Sequence, residues 1–241
     1  WMAPEGAAMR IYSHLGYAQL WGGVFSAGIK SLETALDETP RNYYGWFVQI
    51  SADLSSSLAI AGDVNKAEEW IQYARESYEE FLTYDYNQDY KYTIASILFG
   101  AEGSLARAKG KYTDAEKFFL RAVRKKKQTK DWKEKYHLVT LLAHLAEAQR
   151  DLGKLIDSEL TARESLLQSI RLNGVNNPYT AYALRELSKT LNEQGRPEEA
   201  EILGKEAVAI FKKQGAPSRS LVYTGALESL AISLNLQNKY K

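Results

Sequence analysis

The chain has 241 residues, 45% of them hydrophobic and 25% charged, and its 31 Lys and Arg against 30 Asp and Glu leave a net charge of +1. That balance provides no global field for nucleic acid or for an anionic membrane surface. The absence of cysteine excludes disulfides, thiolate chemistry and any Cys-held zinc or iron–sulfur centre. No stretch approaches the ~18 to 20 apolar residues needed to cross a bilayer. The opening residues WMAPEGAAMR lack a basic start followed by an apolar run, and no Asn-x-Ser/Thr sequon occurs. A cytoplasmic protein without a membrane span is therefore expected.

In chain order, apolar residues at helical spacing predict helix pairs over 4–36, 42–82, 90–126, 132–172 and 178–213, followed by a lone helix over 218–237. The connecting stretches YDYNQD at 84–89, NGVNNP at 173–178 and GAPS at 215–218 are rich in turn formers. One unit recurs along the chain. A glycine, four residues, then Ala or Ser and then Glu begins at Gly62, Gly110, Gly153 and Gly195, with a weaker copy at Gly22 or Gly23 and a last one at Asn238. The spacings run about 40, 48, 43, 42 and 43 residues, and periods of this size indicate repeat architecture.

Each part of the unit has a physical reason. Glycine ends a helix in the left-handed conformation at no steric cost, and Pro197 suits the first turn of the helix that follows Gly195. The small residue five positions on (Ala67, Ala115, Ser158, Ala200) lets two helices cross closely. Leu184, Leu187 and Leu191 form a stripe before the turn, and Ala200, Leu203, Ala207 and Ile210 form another after it.

These residues resemble the tetratricopeptide repeat. Leu15-Gly16, Leu187-Ser188 and Leu230-Ala231 are similar to that family's Leu-Gly or Leu-Ala pair. The triplets Gly110, Ala115, Ala122, then Gly153, Ser158, Ser165, then Gly195, Ala200, Ala207 match its turn and second helix. The period near 42 resembles the long-repeat, kinesin-light-chain-like branch, which is scattered among signalling and effector proteins. Two departures stand out: the second helix carries Phe119 in one repeat but Ala162 and Gly204 at the equivalent positions, and the 48-residue spacing implies an insertion. The resemblance implies an all-α, right-handed α-α superhelix of about five helix hairpins plus one terminal helix, a single array over 1–241. The chain starts at Trp1 and stops where a partner for the last helix is due, so a fragment of a longer protein is expected.

Reactive constellations are scarce. His137 and His144 lie about 10 Å apart along a helix, too far to grip one ion. GKYT at 110–113 is a repeat turn and not a phosphate loop, because Tyr stands where Ser or Thr would hold magnesium. Neither a Gly-x-Ser-x-Gly elbow nor a His-Glu-x-x-His helix is present. No catalytic activity, cofactor or metal is expected. Arg121 to Lys135 holds eight bases, which suits a solvated helix C-terminus or, alternatively, an anionic partner or lipid surface. Tyr84, Tyr86, Tyr90 and Tyr92 suit the packing of a joint between repeats or, alternatively, a recognition patch.

The resemblance also implies that the first helix of each repeat lines a concave groove that binds extended peptides. Arg107, Arg150, Tyr182, Arg185, Lys189, Asn192 and Asn235 fall there, beside Glu147 and Glu228. Arg185, Lys189 and Asn192 share one helix face, so bases for carboxylates and Asn for peptide backbone point to a protein or extended, acidic peptide as partner. The alternative is the sensor half of a larger enzyme or signalling protein, with a caspase-like protease or nucleotide-dependent switch outside this chain.

Overall fold

The computed structural model describes residues 6–40, 42–130, 136–216 and 220–238. Among them are eleven α-helices and no strand. The helices divide into two compact units, 1–130 and 131–241. The first holds α1 (Ala7–Trp21), α2 (Phe25–Asp37), α3 (Tyr44–Ala61), α4 (Val64–Leu82), α5 (Gln88–Ala108) and α6 (Tyr112–Gln128). The second holds α7 (Tyr136–Asp151), α8 (Leu155–Asn173), α9 (Pro178–Glu193), α10 (Pro197–Lys213) and α11 (Leu221–Leu236).

Consecutive helices pair as hairpins: α1 with α2, α3 with α4, α5 with α6, α7 with α8 and α9 with α10. Within the first unit α3 also packs on α5, and within the second α9 packs on both α7 and α11. The expected five hairpins and terminal helix are all present. The boundaries expected at Pro4, Trp132 and Ser218 lie outside the described residues. The expected start at Tyr90 moves to Gln88, because Asn87 caps the helix by accepting the Tyr90 N–H at 2.9 Å.

The turns follow one geometry. Gly23, Gly62, Gly110, Gly153 and Gly195 all have φ between 71° and 88°, the left-handed region that side chains bearing a Cβ enter at a cost. The residue after each glycine donates its N–H to a carbonyl five residues back. Examples are Asp63 to Leu58, Lys111 to Ala106, Lys154 to Gln149 and Arg196 to Leu191, each at 2.9 Å, the Schellman closure of a helix end. Gly22 is right-handed at φ −74°, so Gly23 is the turn residue of the weaker copy. Asn238, with φ 54°, takes the same conformation after α11.

Each hairpin crosses at the small residue five positions past the turn and at its mate seven positions before it. The pairs are Gly16 with Gly28, Ser55 with Ala67, Gly103 with Ala115, Ala146 with Ser158, and Ser188 with Ala200. Serine on either side bonds the facing carbonyl: Ser55 Oγ donates to Ala67 O at 2.7 Å, Ser188 Oγ to Ala200 O at 2.8 Å, and Ser158 Oγ to Ala146 O at 2.8 Å. The first crossing has glycine on both sides. A Cβ on Gly16 would lie 3.0 Å from the Gly28 carbonyl oxygen and 2.9 Å from Leu32 Cγ. In the third hairpin, the Phe119 ring fills the space over Gly103, 2.8 Å from where its Cβ would stand. Ala115 has no exposed surface there. Ala115→Trp is therefore expected to force α5 and α6 apart and to cost about 1 to 3 kcal/mol by overpacking, read as a lower melting temperature. An unchanged melting temperature would mean that the crossing lies elsewhere.

Candidate functional site

In the second unit, α7, α9 and α11 form one layer, and the expected groove residues Arg150, Tyr182, Arg185, Lys189, Asn192 and Asn235 all lie on it. Ser188 and Leu191 turn toward α10 and fix how α9 sits. Glu186 then points between α9 and α7 with no exposed surface, and a carboxylate so placed needs bound cations.

Two arginines supply them. Arg185 Nε donates to Glu186 Oε1 at 2.7 Å, and Arg150 Nη1, from α7, donates to Oε2 at 3.2 Å. Arg150 also pairs with Glu193 at 3.1 Å and lies 3.9 Å from Glu147. Burial acts to raise the Glu186 carboxyl, but the Arg185 and Arg150 guanidiniums outweigh it and hold the carboxyl below the usual carboxylate range. The Arg185 guanidinium carbon lies over the Tyr182 ring, 4.3 Å from its centroid, and its Nη1 would be 3.0 Å from a Cβ on Gly225 of α11. Glycine at that point leaves room for the guanidinium.

The arrangement corrects one expectation. Arg185 and Asn192, expected to offer a base and an amide to a bound peptide, are each only 7% exposed. Asn192 Nδ2 donates to Ser229 O at 3.0 Å and ties α9 to α11, while its Oδ1 is buried without a partner. Arg150 and Tyr182 are likewise buried, and the Tyr182 hydroxyl lies 3.5 Å from His144 Nδ1. Among the described residues Lys189 is partly exposed and has no carboxylate within ion-pair distance, although its charge acts on Glu186 and Glu193, and Asn235 is exposed on α11. Arg107, on α5, belongs to the first unit and is partly exposed. Glu186, which organises the site, was not among the expected residues. Its signal was present in the sequence, since two arginines from neighbouring repeats that converge on one layer require a counter-charge.

The basic stretch from Arg121 is also not simply a solvated helix end. The Arg121 guanidinium lies 4.0 Å from the Phe99 ring centroid, Lys125 lies over Tyr92 at 5.3 Å, and Lys126 is buried with Nζ 3.2 Å from Thr93 Oγ1. Three of its bases thus pack against α5. Residues 131–135 of the stretch lie outside the described residues. Among the described residues, no three His, Asp or Glu side chains gather as a metal site, and no helix is long and apolar enough to cross a membrane.

The tetratricopeptide repeat family model matches residues 137–213, which span α7 to α10. Residues 137–213 are thus tetratricopeptide repeat in sequence. Solved structures share the repeat fold. An archaeal signal transduction ATPase with numerous domains and a tetratricopeptide repeat sensor, from Pyrococcus horikoshii, aligns with a TM-score of 0.63 at 15% identity, over 97% of this chain and 33% of that one. The nearly identical, kinesin-light-chain TPR-like repeats of Podosopora anserina align with a TM-score of 0.55 at 15% identity, over 89% and 99%. A thermophilic repeat protein of Thermus thermophilus aligns with a TM-score of 0.56 at 20% identity, over 92% and 100%. This repeat chain therefore spans about a third of the archaeal protein's length. No curated protein sequence matches it.

Proposed function

We propose that the chain acts by binding, not by catalysis, as a scaffold that docks an extended segment of a partner protein along the α7, α9 and α11 layer. The observation that carries this reading is Lys189: a partly exposed base, with no carboxylate in ion-pair distance among the described residues, on a wall that is otherwise locked by the Arg185–Glu186–Arg150 network. A rigid wall lowers the ordering cost of binding. Lys189 supplies the fixed positive charge for an Asp, a Glu or a free C-terminus, and Asn235 supplies an exposed amide one repeat further on. Arg150 and Arg185 shape the wall, because their charges are already matched inside the fold, and Arg107 lies on the other unit.

A pull-down with the chain followed by mass spectrometry identifies the partner. Against that partner, Lys189→Glu is expected to weaken binding about tenfold or more, since a charge-assisted hydrogen bond contributes about 1.5 to 3 kcal/mol, and binding should weaken as salt rises. Lys212→Glu, in the last turn of α10, is the control. Equal affinity of the Lys189 variant and the parent would remove the α9 face as the site and turn attention to the bases from Arg121. The archaeal neighbour favours a second reading, in which the chain is the sensor part of a longer signalling protein. A switch or protease domain adjoining it in the full reading frame would decide for that.

A further inference from the structure

Glu186 has a counterpart in the first unit. Counted back nine residues from each turn glycine, the chain places His14, Asp53, Ala101, His144 and Glu186 at one repeat position, so Asp53 of α3 stands where Glu186 stands in α9. The surroundings differ. The position before Glu186 is Arg185, whereas the one before Asp53 is Ala52. The position three before the preceding turn is Arg150 for Glu186 and Leu20 for Asp53. Among the described residues, the same carboxylate position therefore carries two guanidiniums in the second unit and none in the first.

Asp53 receives a hydroxyl instead. Tyr17 Oη, from α1, donates to Asp53 Oδ2 at 2.6 Å, and Gln49 Nε2, one turn back on α3, donates to Tyr17 Oη at 3.3 Å. With Asp53 ionised, these two bonds leave Asp53 Oδ1 and Gln49 Oε1 as acceptors with no hydrogen bond among the described residues. Glu186 is sealed, but Asp53 and Gln49 are both partly exposed, so an outside group can reach them. The crowding is still sufficient for burial to push the Asp53 carboxyl up to about 7, with the Tyr17 hydroxyl pulling it only part of the way back. A half-buried carboxylate without a cation is a costly arrangement for a fold to keep. Its energetic deficit is relieved by a cation that arrives with a ligand.

We infer that Asp53, with Gln49 and held by Tyr17, is a receptor for a cationic side chain, arginine or lysine, of a bound protein segment, the external group taking the place that Arg185 and Arg150 occupy beside Glu186. A guanidinium is a donor-only group with several N–H bonds and satisfies both free acceptors at once. The first unit thus selects a positive group. This site is independent of the Lys189 face and of whatever partner that face takes.

The test titrates the isotope-labelled full chain with the pentapeptide acetyl-Gly-Arg-Gly-Arg-Gly-amide and with its citrulline analogue, which has the same shape without the charge, following the Asp53 carboxyl carbon and the Gln49 side-chain amide by NMR. The arginine peptide is expected to shift both signals and to bind at least tenfold more tightly than the citrulline peptide. Asp53→Asn is expected to lose that preference while keeping the parent's melting temperature or exceeding it. Leu20→Arg, which offers from within the guanidinium that Arg150 offers Glu186, is expected to weaken arginine-peptide binding at least tenfold. Equal binding of the two peptides to the parent, or shifts confined to other residues, overturns the inference whether or not either variant folds.

Discussion

Glu186→Ala is expected to destabilise the second unit by about 3 to 5 kcal/mol, because it leaves two buried guanidiniums without their carboxylate. Arg185 and Arg150 are 7% and 8% exposed, and neither can turn to water without opening the packing of α9 on α7 or α11. Hydrogen exchange in α7 and α9 should accelerate by roughly a hundredfold to several thousandfold, at about tenfold per 1.4 kcal/mol. Replacing all three groups together (Arg150→Met, Arg185→Met, Glu186→Met) should recover most of the loss, because burying ions is costly and apolar side chains of similar size avoid that cost. The pH dependence has a definite sign. The Glu186 carboxyl lies below its ordinary value in the folded chain, so its contribution is fully present above about pH 4.3 and fades as pH falls through the lower, folded value. Arg185→Glu should be as damaging as Glu186→Ala, whereas Lys189→Glu should leave stability nearly unchanged. If Arg185→Glu melts with the parent, the network does not hold the unit together.

Much of the fold was legible because the repeat is written in residues that have only one use. A glycine closing a helix, a small residue five positions on and a leucine stripe before the turn each respond to local sterics, so Gly62, Gly110, Gly153 and Gly195 could be placed without any long-range information. Ambiguity remained where the local signal was doubled or weak. Gly22 and Gly23 are both glycines, and only the backbone distinguishes the left-handed one. The end of α5 that packs with Tyr90 is set by the Asn87 cap, two residues earlier than the apolar pattern begins.

The site was less legible, and for a different reason. Polar residues on a repeat's first helix look alike in sequence whether they face a ligand or one another. Arg185, Lys189 and Asn192 lie on one helix face, yet Arg185 closes an ion pair with its own neighbour, Asn192 bonds a backbone carbonyl thirty-seven residues away, and only Lys189 stays open. The distinction depends on what the adjacent repeat presents, such as Arg150 or Ser229, and one-dimensional spacing does not give that. Comparison across repeats does: the same position filled by Glu186 with its arginines and by Asp53 without them separates a structural carboxylate from an available one.

The tyrosine-rich stretch is governed by the same distinction, and Phe81→Ala should expose it. Phe81, on α4, has no exposed surface and stands at the centre of a ring cluster. Tyr86 stacks on it at 4.7 Å and 14°, Tyr78 at 6.0 Å and 22°, and Tyr90 meets it edge-on at 5.5 Å and 79°. Tyr90 continues across to α3, where its hydroxyl occupies the space that a Cβ on Gly45 would need. The rings after α4 thereby join the second hairpin to the third. Removing the central ring leaves a cavity that flat, rigid neighbours fill poorly, so the expected loss is about 3 to 5 kcal/mol, part of it from ring–ring contacts of about 0.5 to 1.5 kcal/mol each. Hydrogen exchange should accelerate in α4 and in the first turns of α5, with α1 and α2 less affected. Tyr84→Ala is the contrast: Tyr84 is 41% exposed and stacks on Tyr44 at 4.7 Å at the edge of the cluster, so its loss should cost about 1 kcal/mol or less. A Phe81→Ala chain as stable as the parent would mean that the rings do not bear the joint, and would leave Tyr84, Tyr86 and Tyr90 as a surface kept for recognition.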